Sequence, residues 1–478
     1  MSEEKILRTF TTRTPDKPGA FMLACKVIMD HDGNIVRVSF NKGVNLFIEV
    51  YATREQLNAI DKELSEISYV DYMPKEPTIL VMDVRIKDVP GALYPVLKVI
   101  DKYDVNISYL NSKAESRDYQ NFNIGMEVER PEISKKILDE VATIYPLDVV
   151  SYNGNYHDLD ITVEYIRLAN SIQRLFSQSD DVVKMFIEES KQITEVMKEH
   201  GQEPKEVFDS IKQLANFIAF HRDLNFKPRL TEIALTPETT LHVIEPPCGS
   251  NTYILRNNDS LLFIDSGLGI FADEMITELR EMFPCFFSME KTMIATHADV
   301  DHNGLLSIIE GAKILMTKKT KDILIGHKGD NGIKNVFADC FGRLSRIVND
   351  YEEPNIDSIS ILGKDVPESH DDLLLIDKFR FGDIEFEVYE GNGGHMKGET
   401  ILYSREPKIL FTGDLYSNLD DLSPERAEFE TVAPFLLKNS DSNPELLNSI
   451  CSKIKDIIDK DGKKGTIVCG GHGAVKRL

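Results

Sequence analysis

Four separated segments in the second half of the chain carry side chains that would bind cations if brought together. They read Thr296-His297-Ala298-Asp299-Val300-Asp301-His302, then Gly394-His395, then Thr412-Gly413-Asp414, then Gly470-Gly471-His472-Gly473. The first alone offers two imidazoles and two carboxylates within six residues. Each candidate stands beside Gly, Thr or another candidate and follows a short apolar run that reads as a strand. Side chains at strand ends can converge while the strands beneath hold them rigid. Carboxylates near a core are costly to bury alone, and a metal ion removes that cost. Residue types and order therefore point to a centre for two metal ions.

These residues resemble the metallo-β-lactamase-fold superfamily. Its pattern is a strand ending in Asp, an H-x-H-x-D-H loop, a lone His after Gly, an Asp in a G-D turn, and a final His. Here the pattern falls on Asp265 (in Phe263-Ile264-Asp265-Ser266-Gly267), His297 to His302, His395, Asp414 and His472. His395 and Asp414 lie 19 residues apart, Asp414 and His472 58 apart, both ordinary for the family. Gly249-Ser250-Asn251-Thr252-Tyr253 is similar to its first core hairpin. The resemblance covers 229–478 and implies an αββα sandwich of two sheets flanked by helices. It implies that His297, Asp299 and His395 bind one ion, that Asp301, His302 and His472 bind the other, and that Asp414 bridges. Asp301 would also orient a water or relay its proton. Asp265 would support the ligands through hydrogen bonds rather than ligate.

One departure bears on the metal. Asp299 stands where the family has a second histidine, giving H-x-D-x-D-H. A carboxylate there is similar to the flavodiiron branch, whose metals are iron, and harder oxygen donors favour iron or manganese. In that branch the residue matching His302 is uncoordinated. Against it, Gly394-His395-Met396-Lys397-Gly398-Glu399-Thr400 looks like the hydrolase branch, and no flavodoxin-like domain follows His472. The implied cofactors are two divalent metal ions per chain, zinc or iron, with manganese also compatible.

The elements that position other chemistry begin with an internal repeat in the first 150 residues. Asp16-Lys17-Pro18-Gly19-Ala20-Phe21 returns as Asp88-Val89-Pro90-Gly91-Ala92-Leu93. Lys26-Val27-Ile28 returns as Lys98-Val99-Ile100, and Asn34-Ile35 as Asn106-Ile107, always 72 residues on. Each unit reads as a strand, a Pro-Gly turn, a helix and further strands, consistent with a ferredoxin-like βαββαβ module. The units resemble ACT domains, small regulatory modules that commonly bind amino acids. The D-x-P-G-A turn lets a ligand approach the backbone at Gly19 or Gly91 and meet free amides at a helix start. Asp16, Asp88, Asn34 and Asn106 complete the candidate effector set. The same turn also serves as a plain loop with a helix cap.

Between the halves, Ile161, Tyr165, Leu168, Ile172 and Leu175 share one helical face, as do Phe208, Ile211, Leu214 and Ile218. Gly201-Gln202-Glu203-Pro204 separates the two runs. Such helices carry a dimer seam or pack against the chain's own domains. The expected organisation is an ACT-like domain at 1–76, a second at 77–153, a helical connector at 154–228 and the metal-binding domain at 229–478. Residues 303–394 are expected to hold a substrate-covering insertion.

Composition limits the partners. The 478 residues hold 55 Lys and Arg against 79 Asp and Glu, a net charge of −24. Nucleic acid and anionic membrane would be repelled. No run of eighteen apolar residues and no secretory leader is evident, and the six cysteines lack C-x-x-C spacing. A cytosolic protein with reduced thiols is expected, a homodimer or higher homo-oligomer. Its expected activity is hydrolysis of an ester, thioester, lactam or phosphoester in a small-molecule substrate by metal-hydroxide attack, tuned by an amino acid. The alternatives are a di-iron enzyme reacting with oxygen or nitric oxide, and a non-catalytic metal or metabolite sensor.

Overall fold

The structure, a computed structural model, describes residues 5–12, 18–41, 46–65, 78–116, 118–128, 131–152, 157–325, 336–363, 366–367, 371–432 and 443–478. The chain forms two compact units, Met1–Glu195 and Val196–Leu478.

The first unit is built on one seven-stranded antiparallel sheet in which the 72-residue repeat returns through three strands and two helices, the second copy adding a fourth strand with no counterpart among the described residues. Its first copy contributes β1 (Lys5–Thr12), α1 (Ala20–Asp30), β2 (Asn34–Asn41), β3 (Leu46–Thr53) and α2 (Arg54–Ser65). Its second contributes β4 (Thr78–Lys87), α3 (Tyr94–Lys102), β5 (Asn106–Ala114), β6 (Tyr119–Val128), α4 (Pro131–Ala142) and β7 (Leu147–Tyr152). The strand order is β1-β3-β2-β5-β6-β4-β7, so the copies join edge to edge through β2 and β5. At that junction Ser39 faces Asn111, its own equivalent 72 residues on. The join is thus a self-complementary contact of two-fold type, and it removes one exposed edge from each copy. The helix of the second copy starts at Tyr94, a turn later than the Asp88–Ala92 motif predicts, because Val89–Leu93 first form a turn of their own.

The segment 154–228 is divided between the units. It holds three helices, α5 (His157–Phe176), α6 (Asp180–Glu199) and α7 (Pro204–Phe220), and the unit boundary falls inside α6. On α5 the predicted face is buried at Ile161, Tyr165, Leu168 and Ile172, but Leu175 is exposed, since the helix ends one residue later. The α7 face is buried at all four predicted positions.

The second unit stacks two sheets. The first, in order β14-β13-β12-β11-β10-β9-β8, comprises β8 (Arg229–Ala234), β9 (Thr239–Glu245), β10 (Thr252–Asn257), β11 (Ser260–Ile264), β12 (Glu290–Ile294), β13 (Lys313–Met316) and β14 (Ile359–Ile361). The second, β15 through β20 in order, comprises β15 (Leu373–Phe381), β16 (Ile384–Asn392), β17 (Lys397–Ser404), β18 (Ile409–Gly413), β19 (Ile467–Gly470) and β20 (Lys476–Arg477). Leu241, Tyr253, Leu262 and Ile264 of one sheet and Phe386, Leu402, Phe411 and Cys469 of the other share a single buried core. On the outer face of the second sheet, Ile450, Ile454 and Ile458 of α12 (Pro444–Lys460) pack with Ile401, Tyr403 and Val468. Phe263 and His242 of the first sheet meet Phe286 and Phe283, which follow α8 (Ala272–Met282). Sheets packed on one another with helices outside satisfy both faces of each.

Residues 303–394 are not a simple insertion. They supply two strands of the first sheet, β13 and β14, and two of the second, β15 and β16. What lies between strands there is α9 (Lys318–Ile325) and α10 (Val336–Val348), while α11 (Pro424–Val432) follows β18 and precedes α12. None of the six cysteines forms a disulfide, and Cys469 is fully buried in the core. Among the described residues no helix is long and apolar enough to cross a membrane.

Candidate metal centre

Strands β11, β12, β18 and β19 all end at one edge of the sandwich, where crossover connections leave their carboxyl ends free. The rule that open sheets bind ligands outside those ends applies here. Asp265 follows β11 directly, and its φ of 59° is unusual for a residue with a Cβ. Its carboxylate offsets that strain by accepting the Thr296 N–H, the Thr296 hydroxyl and His302 Nδ1, each at 2.8 Å. One acid thereby ties β11 to the loop that leaves β12. Asn303 closes the loop, its amide donating to the carbonyls of His297 (2.8 Å) and Asp299 (2.7 Å).

Seven predicted ligands converge in two groups. His297, Asp299, His395 and Asp414 offer atoms within 4.8 Å of one another, and so do Asp301, His302 and His472. Asp414 faces both. Its Oδ2 lies 4.0 Å from His297 Nε2 and 3.7 Å from His395 Nε2, while Oδ1 lies 3.2 Å from His302 Nε2 and 3.3 Å from His472 Nε2. Asp299 Oδ2 stands 3.1 Å from His395 Nε2 and 3.4 Å from His297 Nε2. Asp301 Oδ2 stands 3.8 Å from His472 Nε2 and 4.0 Å from His302 Nε2. Two ligands on one tetrahedral ion, each about 2.1 Å away, sit roughly 3.4 Å apart. The observed separations bracket that value.

The donor chemistry fits a cation better than it fits hydrogen bonding. The Gly249 carbonyl, 3.1 Å from His472 Nδ1, can only accept, so that nitrogen carries the proton. Asp265 fixes His302 in the same way, and the Thr296 hydroxyl, already a donor to Asp265, accepts from His297 Nδ1 at 2.9 Å. In a neutral ring each Nε2 then presents a lone pair to the centre. His297 Nε2, His302 Nε2 and Asp414 Oδ1 are buried without a hydrogen-bonding partner. Lone pairs facing one another across 3.2 Å, out of water, are costly unless positive charge lies between them.

The titration behaviour agrees. Burial alone would raise the Asp299 carboxyl, but His297 and His395 outweigh it and hold it well below the usual carboxylate range. Asp414 is likewise held down, against burial, by His472 and His302. Burial would lower His302, yet Asp414, Asp265 and Asp301 raise it well above the ordinary imidazole value. The cluster draws positive charge, and the His and Asp groups are compatible with metal binding.

The candidate effector residues separate. Asn34, Asp88 and Gly91 meet at a small cavity between the repeats, which Met29 and Gln120 also line. Asp88 Oδ1 accepts from Asn34 Nδ2 and from Gln120 Nε2, both at 2.8 Å. About 20 Å³ is open, room for roughly one water. Gly19 and Asn106 are not part of its lining; they sit at the equivalent positions 72 residues away, and Asp16 lies outside the described residues. Both glycines have left-handed backbones, φ 76° and 78°. A Cβ at Gly91 would come within 2.7 Å of Met29, and one at Gly19 would collide with Asp101, the repeat equivalent of Met29. Their close approach is therefore to the opposite repeat.

Sequence reasoning missed Thr296, Asn303 and the Gly249 carbonyl, although the first two flank predicted ligands and share their loop. Gln120 gave no signal, because Ile48 occupies its place in the other repeat.

No protein-family model and no curated protein matches the chain. Among solved structures, it is similar to a metallo-β-lactamase from Pontibacter korlensis, 18% identical with a TM-score of 0.33, over 52% of this chain and 94% of that one. It is similar to a flavoprotein from Thermotoga maritima, 16% identical with a TM-score of 0.34, over 52% of this chain and 57% of that one. A metallo-β-lactamase from Cronobacter sakazakii with a HARLDQ motif is 13% identical with a TM-score of 0.32, over 50% and 80% of the respective chains.

Proposed function

We propose that the second unit is a binuclear metal-dependent hydrolase with the metallo-β-lactamase arrangement, acting in the cytosol on a small-molecule ester, thioester, lactam or phosphoester. One observation carries the reading: Asp414 turns one oxygen to His297 and His395 and the other to His302 and His472. His297, Asp299 and His395 would hold one cation, Asp301, His302 and His472 the second, with Asp414 shared. Two such cations would supply Lewis acidity toward a carbonyl or phosphoryl oxygen and would bring a water's pKa near neutrality. The protein's own part is to hold its imidazoles in the tautomer that exposes Nε2, through Thr296 for His297, Asp265 for His302 and Gly249 for His472. Asp301, about a quarter exposed, is assigned the role of accepting a proton at its carboxylate.

A second reading has an observation of its own. Asp299 adds a third carboxylate to the centre and sits against two imidazoles, which favours iron and hence redox chemistry with oxygen or nitric oxide. Elemental analysis of protein purified from its own host separates the readings. Zinc with activity on an ester and phosphoester panel supports hydrolysis. Iron with an iron–oxo absorption band, and silence on that panel, overturns it.

The repeats are assigned a regulatory role as paired ACT-like modules taking an amino acid. Gln120 Oε1, buried and without a partner beside the Asn34–Asp88 contact, supports this. Equilibrium dialysis against the twenty amino acids tests it, and no retention of any of them would refute it.

A further inference from the structure

The loop that carries His395 is held by a group that none of the roles above uses. Glu399, on β17 and 3% exposed, accepts three successive backbone N–H groups with its carboxylate. Oε1 takes Gly394 at 2.8 Å, and Oε2 takes His395 at 2.9 Å and Met396 at 3.1 Å. A concave turn of consecutive amides is a natural anion site, and here the chain fills it with its own side chain. The space is reserved for it: a Cβ on Gly391 would come within 2.5 Å of Glu399 Oε1. The next residue extends the link, because the Thr400 N–H donates to the Thr296 carbonyl at 2.7 Å, one peptide before His297. The same loop is gripped from its other side, where the Asn443 N–H at the start of α12 donates to the Gly394 carbonyl at 2.9 Å.

We infer that Glu399 is a positioning residue for one of the two ion sites. It fixes His395 against His297, and so governs the affinity of the His297–Asp299–His395 site without touching the ion. The second group, Asp301, His302 and His472, hangs on Asp265 and Gly249 and reaches Glu399 only indirectly, through Asp265, Thr296 and the Thr400 peptide. The two sites should therefore respond differently to its loss. A charge-assisted triple contact is also strong enough to matter, since removing partners that orient a ligand commonly lowers metal affinity about 10- to 100-fold.

This inference rests on the binuclear reading, and the experiment separates the two. Full-length wild type, Glu399→Ala and Glu399→Gln, each stripped of metal, are titrated with Zn²⁺ alone against a competing chelator, with far-ultraviolet circular dichroism as the fold check. The expected result is two tight ions in the wild type. In Glu399→Ala one dissociation constant rises about 10- to 100-fold while the other stays within about threefold. Glu399→Gln keeps an oxygen for some of the three donors and falls between. A folded variant that binds both ions as the wild type does, or that weakens both equally, overturns the inference and leaves the binuclear reading standing. If Glu399→Ala fails to fold, the Glu399→Gln titration alone decides by the same criteria. A wild type that binds no Zn²⁺ tightly overturns the binuclear reading itself.

Discussion

The candidate metal centre and the cavity between the repeats are both small polar clusters withdrawn from water, and both join segments far apart in the chain. They differ in the sign of what faces what. Between the repeats an amide donor from Asn34 and another from Gln120 meet one carboxylate oxygen of Asp88, and the hydrogen bonds close. In the centre, imidazole lone pairs meet the oxygens of Asp414, and the hydrogen bonds do not close. Counting polar residues would rank the two alike. Matching donors to acceptors separates a cluster whose donors are met, with only Gln120 Oε1 left over, from one whose facing lone pairs call for a cation.

The strongest way to break this contrast is to remove the shared oxygen pair. Asp414→Ala should abolish tight binding at both ion sites, by more than about a hundredfold, with the first unit still folded; elemental analysis after gel filtration measures it. Retention of both ions would show that Asp414 does not bridge. Asp265→Asn should weaken the His302 side about 10- to 100-fold, since an amide can present a donor where His302 Nδ1–H needs an acceptor; chelator competition reads this.

A third carboxylate sharpens the comparison because the protein itself supplies its cations. Burial would raise Glu387, but hydrogen bonds from Lys378, Tyr389 and Arg405 lower it to about 2. Its folded value lies below its unfolded value of 4.5, so its stabilisation is present above pH 4.5 and fades as pH falls toward 2. Glu387→Gln should cost about 2 kcal/mol at neutral pH, as loss of hydrogen bonds to a charged group does, and flatten that acid limb in denaturant titrations. Metal content should not change. The smallest effect belongs to the repeats. Asp88→Ala removes the acceptor of the Asn34 amide and leaves Gln120 Nε2 with only the Ile35 carbonyl, and should destabilise the first unit by about 1 kcal/mol, again with full metal content; urea unfolding measures it. Metal loss in this variant would contradict the separation of the two regions.

Much of the candidate site was legible in advance because side chains able to ligate a metal announce themselves by residue type beside strand ends. His297, Asp299, Asp301, His302, His395, Asp414 and His472 stand in a recognisable order, and the structure gathers all of them. The repeat was legible because its motifs return at one offset. The limits have physical causes. Leu175 has the right helical phase, but phase does not say where a helix stops. Residues 303–394 looked insertional because a gap between ligands carries no mark of which strands it contributes to a sheet. Asn303 and Glu399 were passed over because side chains that hold backbone carbonyls or N–H groups have no residue-type signature.

The sequence by itself determined which groups could bind cations, that two copies of one module occupy its first 150 residues, and that its net charge is −24. Only the tertiary structure decided that Asp414 divides its oxygens between two histidine pairs, that Asp265 grips Thr296 and His302 together, and that Gly19 and Gly91 make room for the opposite repeat. The reason is directional. Composition and spacing fix what a residue can do, whereas lone pairs, N–H bonds and the space a missing Cβ leaves acquire a direction only once the strands have been paired.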